Sequence, residues 1–156
     1  MASELDGYLD LPSDEDLARE VGFYVLRKVG EDYDLSGLTH AERVLACLTE
    51  LEMEVNNGGF DQYFWNSPGG HATEAVQALQ ELGAIHTAGL VAEASGQFGP
   101  DGPAPDRERR WKQMDGLRES VRDRWSALDD RFYEYRDNLS SLAAAYIRAH
   151  RDQFHP

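Results

Sequence analysis

The stretch Glu50–Asn66, ELEMEVNNGGFDQYFWN, holds the residues best suited to chemistry. Glu50, Glu52 and Glu54 alternate along it, followed by Asn56, Asn57, a glycine pair, Asp61, Gln62 and Asn66. At helical spacing Glu50 and Glu54 fall one turn apart on an outer face, and Glu52 falls near the apolar side, beside Leu45. Carboxylates near a helix C-terminus meet the negative end of the dipole, so a compensating group is expected. Backbone donors of the Gly58-Gly59 turn, or an arginine from the C-terminal helix, would make Glu52 structural, because buried charges are normally paired. The alternative is a small-ligand or catalytic pocket built from Glu52, Asn56, Asn57, Asp61, Gln62 and Asn66. That reading requires a second titratable group to converge on Glu52. Phe60, Tyr63, Phe64 and Trp65 are core-type residues.

Other chemistries find little support. The histidines (His40, His71, His86, His150 and His155) form no H-E-x-x-H pattern and have no cysteine pair beside them, so no metal site is expected. Cys47 has no nucleophile context. The chain lacks a phosphate loop, a dinucleotide fingerprint and a G-x-S-x-G elbow, and no Lys or Arg occurs between Arg43 and Arg107. No catalytic residue and no cofactor are assigned.

The charge is uneven. Residues 1–60 carry fourteen acids against four bases, residues 61–100 four acids and no base, and residues 101–156 eleven of each, giving −14 overall. Such a surface repels nucleic acids and anionic membranes and attracts basic proteins. Glu31, Asp32 and Asp34, with Glu42, Glu50 and Glu54, are the expected partner-facing carboxylates. The arginines of 107–124 alternate with acids, as in Glu119 with Arg122 and Asp115 with Arg118, and read as a solvated helix face laced with ion pairs. One cysteine allows no internal disulfide, the first ten residues are acidic rather than a cationic apolar leader, and no apolar run approaches a bilayer span. A soluble cytoplasmic protein is expected.

The elements that would position these residues are all helical. Residues 1–12 read as a loose acidic arm and 13–156 as a single domain of six to eight helices. Ser13 caps the first helix, with apolar residues from Leu17 to Val29 and Gly30 closing it. Thr39 caps the second, which runs to about Asn56 and stops at Gly58-Gly59, before a short aromatic helix at 60–65. Helices follow from about Ala72 to Gly83 and over 84–95, then a proline-rich loop. Trp111 to Phe132 step as one long amphipathic helix, with a break expected near 128–130. Asp137 or Asn138 caps the last helix. No alternating strand pattern occurs.

The run Val55-Asn56-Asn57-Gly58-Gly59-Phe60-Asp61-Gln62-Tyr63-Phe64-Trp65-Asn66-Ser67 resembles the signature of a bacterial domain-of-unknown-function family that includes acidic DNA-mimic proteins. Residues 75–84, 128–133 and 145–148 support the likeness, which covers about 15–154. The resemblance implies an all-helical fold, often a dimer, without enzymatic activity. The DNA-mimic role of some members rests on surface carboxylates that replace phosphates in a partner's basic groove. It implies a basic, DNA-binding protein as partner. An immunity-type protein that neutralises a basic toxin needs the same electrostatics.

Overall fold

Helix caps set the order of the chain. The computed structural model describes residues 1–156 and contains eight α-helices and no strand. Ser3 and Asp6 form a capping box that starts α1 (Glu4–Leu9), with the Ser3 amide donating to Asp6 Oδ2 at 2.8 Å. Leu5 and Leu9 of this helix enter the core, so the expected loose arm is instead a docked helix. The S-x-x-D spacing was its signal. Ser13 caps α2 (Asp14–Val29), which ends at Gly30, a residue at φ 78°. Thr39 caps α3 (His40–Trp65) in a second box with Glu42.

The central helix α3 packs against α2, against α4 (Ala72–Leu82), and against α6 (Arg107–Asp115) and α7 (Glu119–Tyr133). Its first half buries Val44, Leu45, Leu48, Leu51 and Val55. Its second half buries Phe60, Tyr63 and Phe64; Phe60 meets Phe132 and Phe64 meets Trp125, both of α7. The glycine pair divides the halves with a kink: Gly58 has φ −154° and Gly59 φ 73°. A Cβ at Gly59 would collide with the Asp129 carboxylate. That same carboxylate caps the second half, accepting the Phe60 amide at 2.8 Å.

The remaining helices close the bundle. Gly83 ends α4 in the left-handed conformation, and α5 (Ile85–Gly96) follows. The first turn of α5 is held by Asp137, whose Oδ2 accepts both the amide and the hydroxyl of Thr87 at 2.8 Å. Asn138, rather than Asp137, therefore caps α8 (Leu139–Ala149). The long C-terminal pattern breaks at Gly116–Arg118, not near 128–130 as the periodicity suggested. The apolar stepping continues through the break because Met114, Leu128 and Phe132 all face one core. Helix α8 lies against α2, and the 3-10 turn after it (Arg151–Gln153) reaches the start of α3. There Thr39 Oγ1 donates to Gln153 O at 2.8 Å, and Gln153 Oε1 accepts the Ala41 amide at 3.1 Å.

Candidate functional site

The three glutamates of α3 meet three different fates. Glu50 is buried and pairs with His71, whose Nδ1 lies 2.9 Å from Oε2; Glu50 Oε1 has no hydrogen-bond partner. Burial raises the Glu50 carboxyl above its usual range, although His71 opposes the shift. Burial disfavours the His71 cation, but the glutamate outweighs it and the imidazole is raised. Glu54 Oε2 accepts from Gln62 Nε2 at 2.8 Å and Asn66 Nδ2 at 2.9 Å, while Asn57 Nδ2 donates to Gln62 Oε1 at 3.1 Å. This chain of amides staples the two halves of α3 across the kink.

Glu52 receives neither of the expected structural partners. No arginine reaches it, and the glycine turn does not bond to it. Its Oε2 accepts the Tyr135 hydroxyl at 2.9 Å, and that hydroxyl in turn accepts from Asn56 Nδ2 at 2.7 Å. Burial drives the Glu52 carboxyl upward, only partly offset by the tyrosine. Burial, with the neighbouring glutamate, pushes Tyr135 up to about 12. Tyr135 is thus the second titratable group that a pocket reading requires. It follows α7 at φ 47°, a left-handed conformation uncommon for a bulky residue. Its position in sequence, 83 residues from Glu52, gave no hint of the contact.

The six polar residues expected to share one pocket separate into three sets. Glu52 and Asn56 line a cleft between α2, α3 and α8. Asn57, Gln62 and Asn66 belong to the Glu54 staple, and Asp61 is exposed and paired with Arg122. The kink turns the second half of α3 away, so helical spacing across Gly58-Gly59 no longer places residues on a common face.

The end of α3 holds a group that the sequence did not reveal. Arg110 is fully buried. It donates to four main-chain carbonyls: Phe64 at 2.6 Å, Asn66 at 2.7 Å, Ala104 at 2.8 Å and Pro105 at 3.1 Å. A guanidinium there satisfies terminal carbonyls and complements the negative end of the helix. The Ser67–His71 turn fits around it: a Cβ on Gly69 would lie 2.5 Å from Tyr63 O and 3.1 Å from Arg110 Nε. Outside this clamp Trp65 stacks on Trp111, and Arg107 lies over the Trp111 ring. The R-E-R-R-W-K run looked wholly solvated because only one of its arginines turns inward.

The expected partner-facing carboxylates also divide. Glu31, Asp32 and Asp34 are exposed on the α2–α3 connection. Hydrogen bonds to the Ser36 amide and side chain hold the Asp34 carboxyl below the usual range. Glu42 and Glu50 are buried, which corrects their assignment to an outer face. Glu42 completes the Thr39 box and pairs with Lys28 at 2.6 Å, and it accepts the His155 amide at 3.1 Å. Burial opposes its charge, yet these donors outweigh burial and the carboxyl is lowered. The T-x-x-E spacing at Thr39–Glu42 was the signal for this commitment. Glu54 is half-buried within its staple. The C-terminal arginines reach outward rather than along their own helices: Arg122 to Asp61, Arg124 to Glu93, Arg148 to Asp14 and Arg151 to Asp10. The expected Glu119–Arg122 and Asp115–Arg118 pairs give way to these contacts.

No group of three His, Cys, Asp or Glu side chains converges as a metal site, and no helix is long and apolar enough to cross a membrane. Burial raises the Cys47 thiol far above its usual value, opposite to the shift an activated nucleophile needs. These features define an all-helical protein with an acidic exterior, whose most distinctive motif serves chiefly to kink and staple its central helix. The chain belongs to the DMP19-like protein family, whose model matches residues 36–150. No curated protein and no solved structure matches it. The matched span covers α3 to α8 and begins after the Glu31–Asp34 connection.

Proposed function

We propose that this chain is a non-enzymatic interaction protein whose exposed carboxylates occupy the nucleic-acid-binding surface of a basic partner protein. One observation carries the reading: with a net charge of −14, even complete internal pairing leaves fourteen carboxylates without a cation. Glu31, Asp32 and Asp34 are exposed members of that surplus. Asp32 and Asp106 both line a hollow of about 290 Å³, together with the cationic Arg107. Family membership supports the same reading, since some relatives of this kind act as DNA mimics. Duplex DNA presents about one charge per 1.7 Å of axis, and one connection is too sparse to match it. Two copies of the chain, brought together as a homodimer, would lengthen the array.

The test is capture of native partners on the immobilised chain at low salt, followed by elution with duplex DNA. A basic DNA-binding protein released by the duplex and by added salt is the expected result, because steering by charge weakens as salt rises. The triple variant E31K/D32K/D34K should retain that protein several-fold less. A captured partner that stays bound in saturating duplex DNA would overturn the proposal.

A further inference from the structure

The cleft between α2, α3 and α8 has properties that the partner reading does not use. Its volume is about 230 Å³. That is smaller than the roughly 300–1,000 Å³ of drug-sized sites and suits a group of side-chain size. Leu45, Leu48 and Ala143 are among its walls, and all three are buried. Phe23 and Met53 also line it and are 38% and 48% exposed.

Into this half-apolar setting α3 places Glu52, a carboxylate that no cation reaches. Arg19 lies on the same wall but is held by Asp16 at 2.7 Å and Glu20 at 3.2 Å. Glu15 adds a second negative charge to the lining. Only Tyr135 donates to Glu52, through Oε2, which leaves Oε1 without a donor from the chain. Asn56 spends an N–H on the same tyrosine, so its own carbonyl oxygen remains an acceptor. Glu42 is served by Lys28 and two amides and Glu54 by two side-chain amides, while Glu50, which also keeps one oxygen unpartnered, is enclosed and has the ionisable His71 as partner rather than an open cleft. A desolvated carboxylate that keeps one oxygen open regains much of its lost hydration when a cation arrives. Tyr135 holds that carboxylate in place from a backbone conformation that itself costs free energy.

We propose that this cleft binds a primary ammonium carried on a short apolar stem. The ammonium docks on Glu52 Oε1 and the Asn56 carbonyl, and the stem lies against Phe23 and Met53. An ammonium is a compact point charge with three donors, which suits two separate acceptors better than a planar guanidinium does. A free alkylamine and the side chain of a lysine offer the same chemistry.

The experiment is a titration of the full chain followed by NMR, with n-butylamine, with N-acetyl-lysine methylamide and with n-butanol as the neutral isostere. Saturable shifts at Phe23, Met53 and Glu52 are expected for at least one amine, with n-butanol about tenfold weaker or more. Binding of n-butylamine identifies a free amine as sufficient, and binding of the lysine amide alone identifies a partner's side chain; both support the site. E52Q, which keeps the shape and the tyrosine bond, should lose binding about tenfold while its circular dichroism stays unchanged. F23A should weaken n-butylamine more than methylamine. Equal binding of amine and alcohol, unchanged binding to E52Q, or no saturable shift with either amine would overturn the proposal. None of these results depends on Glu31, Asp32 or Asp34, so the partner reading is judged separately.

Discussion

Two charges packed along helix α3, Arg110 of α6 and Glu52 of α3 itself, have surroundings that differ in kind. Near its C-terminus Arg110 is enclosed, with guanidinium nitrogens engaged by four carbonyls. Between one and two turns before the kink, Glu52 is half-buried beside an open cleft, with one neutral donor. A buried polar group whose hydrogen bonds are all made adds stability and rigidity and has nothing left to offer a ligand. One whose bonds are partly made weakens the fold but keeps capacity for something outside the chain. The contrast separates a charge spent on structure from one proposed to recognise a ligand, at two places along the same helix α3.

Replacing Arg110 with alanine gives the largest expected effect, because it strands several carbonyls and empties a side-chain volume. A loss of about 3–5 kcal/mol in urea unfolding is expected. Lysine at this position should recover only part, since one ammonium cannot span carbonyls from two segments. If R110A unfolds like the wild type, the enclosed charge is not a clamp and the contrast collapses. Next in size is Gly69→Ala, which forces a methyl group onto the Tyr63 carbonyl and the Arg110 guanidinium. About 1–3 kcal/mol should be lost, measured by the same unfolding curves.

Asp129→Ala removes the cap on the second half of α3. About 1 kcal/mol should be lost, and amide exchange should accelerate at Phe60 before it does at Leu51. The smallest effect sharpens the contrast most. In Glu52 the folded carboxyl is raised, so the folded state holds its proton longer than the unfolded chain does. Stability from this site is therefore greatest below the unfolded value of about 4.3, and it falls as pH climbs through the raised folded value. Glu42 has the opposite sign: its carboxyl is lowered, and the stability it contributes is lost as pH falls through that lowered value. Thermal melts across this range should show E52Q slightly more stable than wild type at neutral pH, and E42Q less stable. Since Glu50 is raised as well, the informative quantity is the difference between wild type and E52Q at each pH.

Much of the fold was readable because its boundaries are local. Ser13, Thr39, Asn138 and Gly83 each act within a turn of their own position. The all-helical class followed from spacing alone. The break at Gly116 was hidden by apolar residues that keep their step on both sides of it. The site was less readable, for a physical reason. Arg110, Asp129 and Tyr135 act on α3 from far along the chain, and a one-dimensional pattern carries no record of which carbonyl or amide lacks a partner. Glu42 is the instructive intermediate. Its role as the box residue was legible, and that role already forbids it from facing a partner.

The way the two ends of the chain interlock bears on its synthesis. Val21 and Val25 of α2 sit in the core where α8 packs, and Asp10 and Asp14 are held by Arg151 and Arg148. Until Leu139–Ala149 is made, α2 can pack against α3, but the side that meets α8 has no cover. The seam between α2 and α8 is therefore among the last contacts of this fold to close during synthesis.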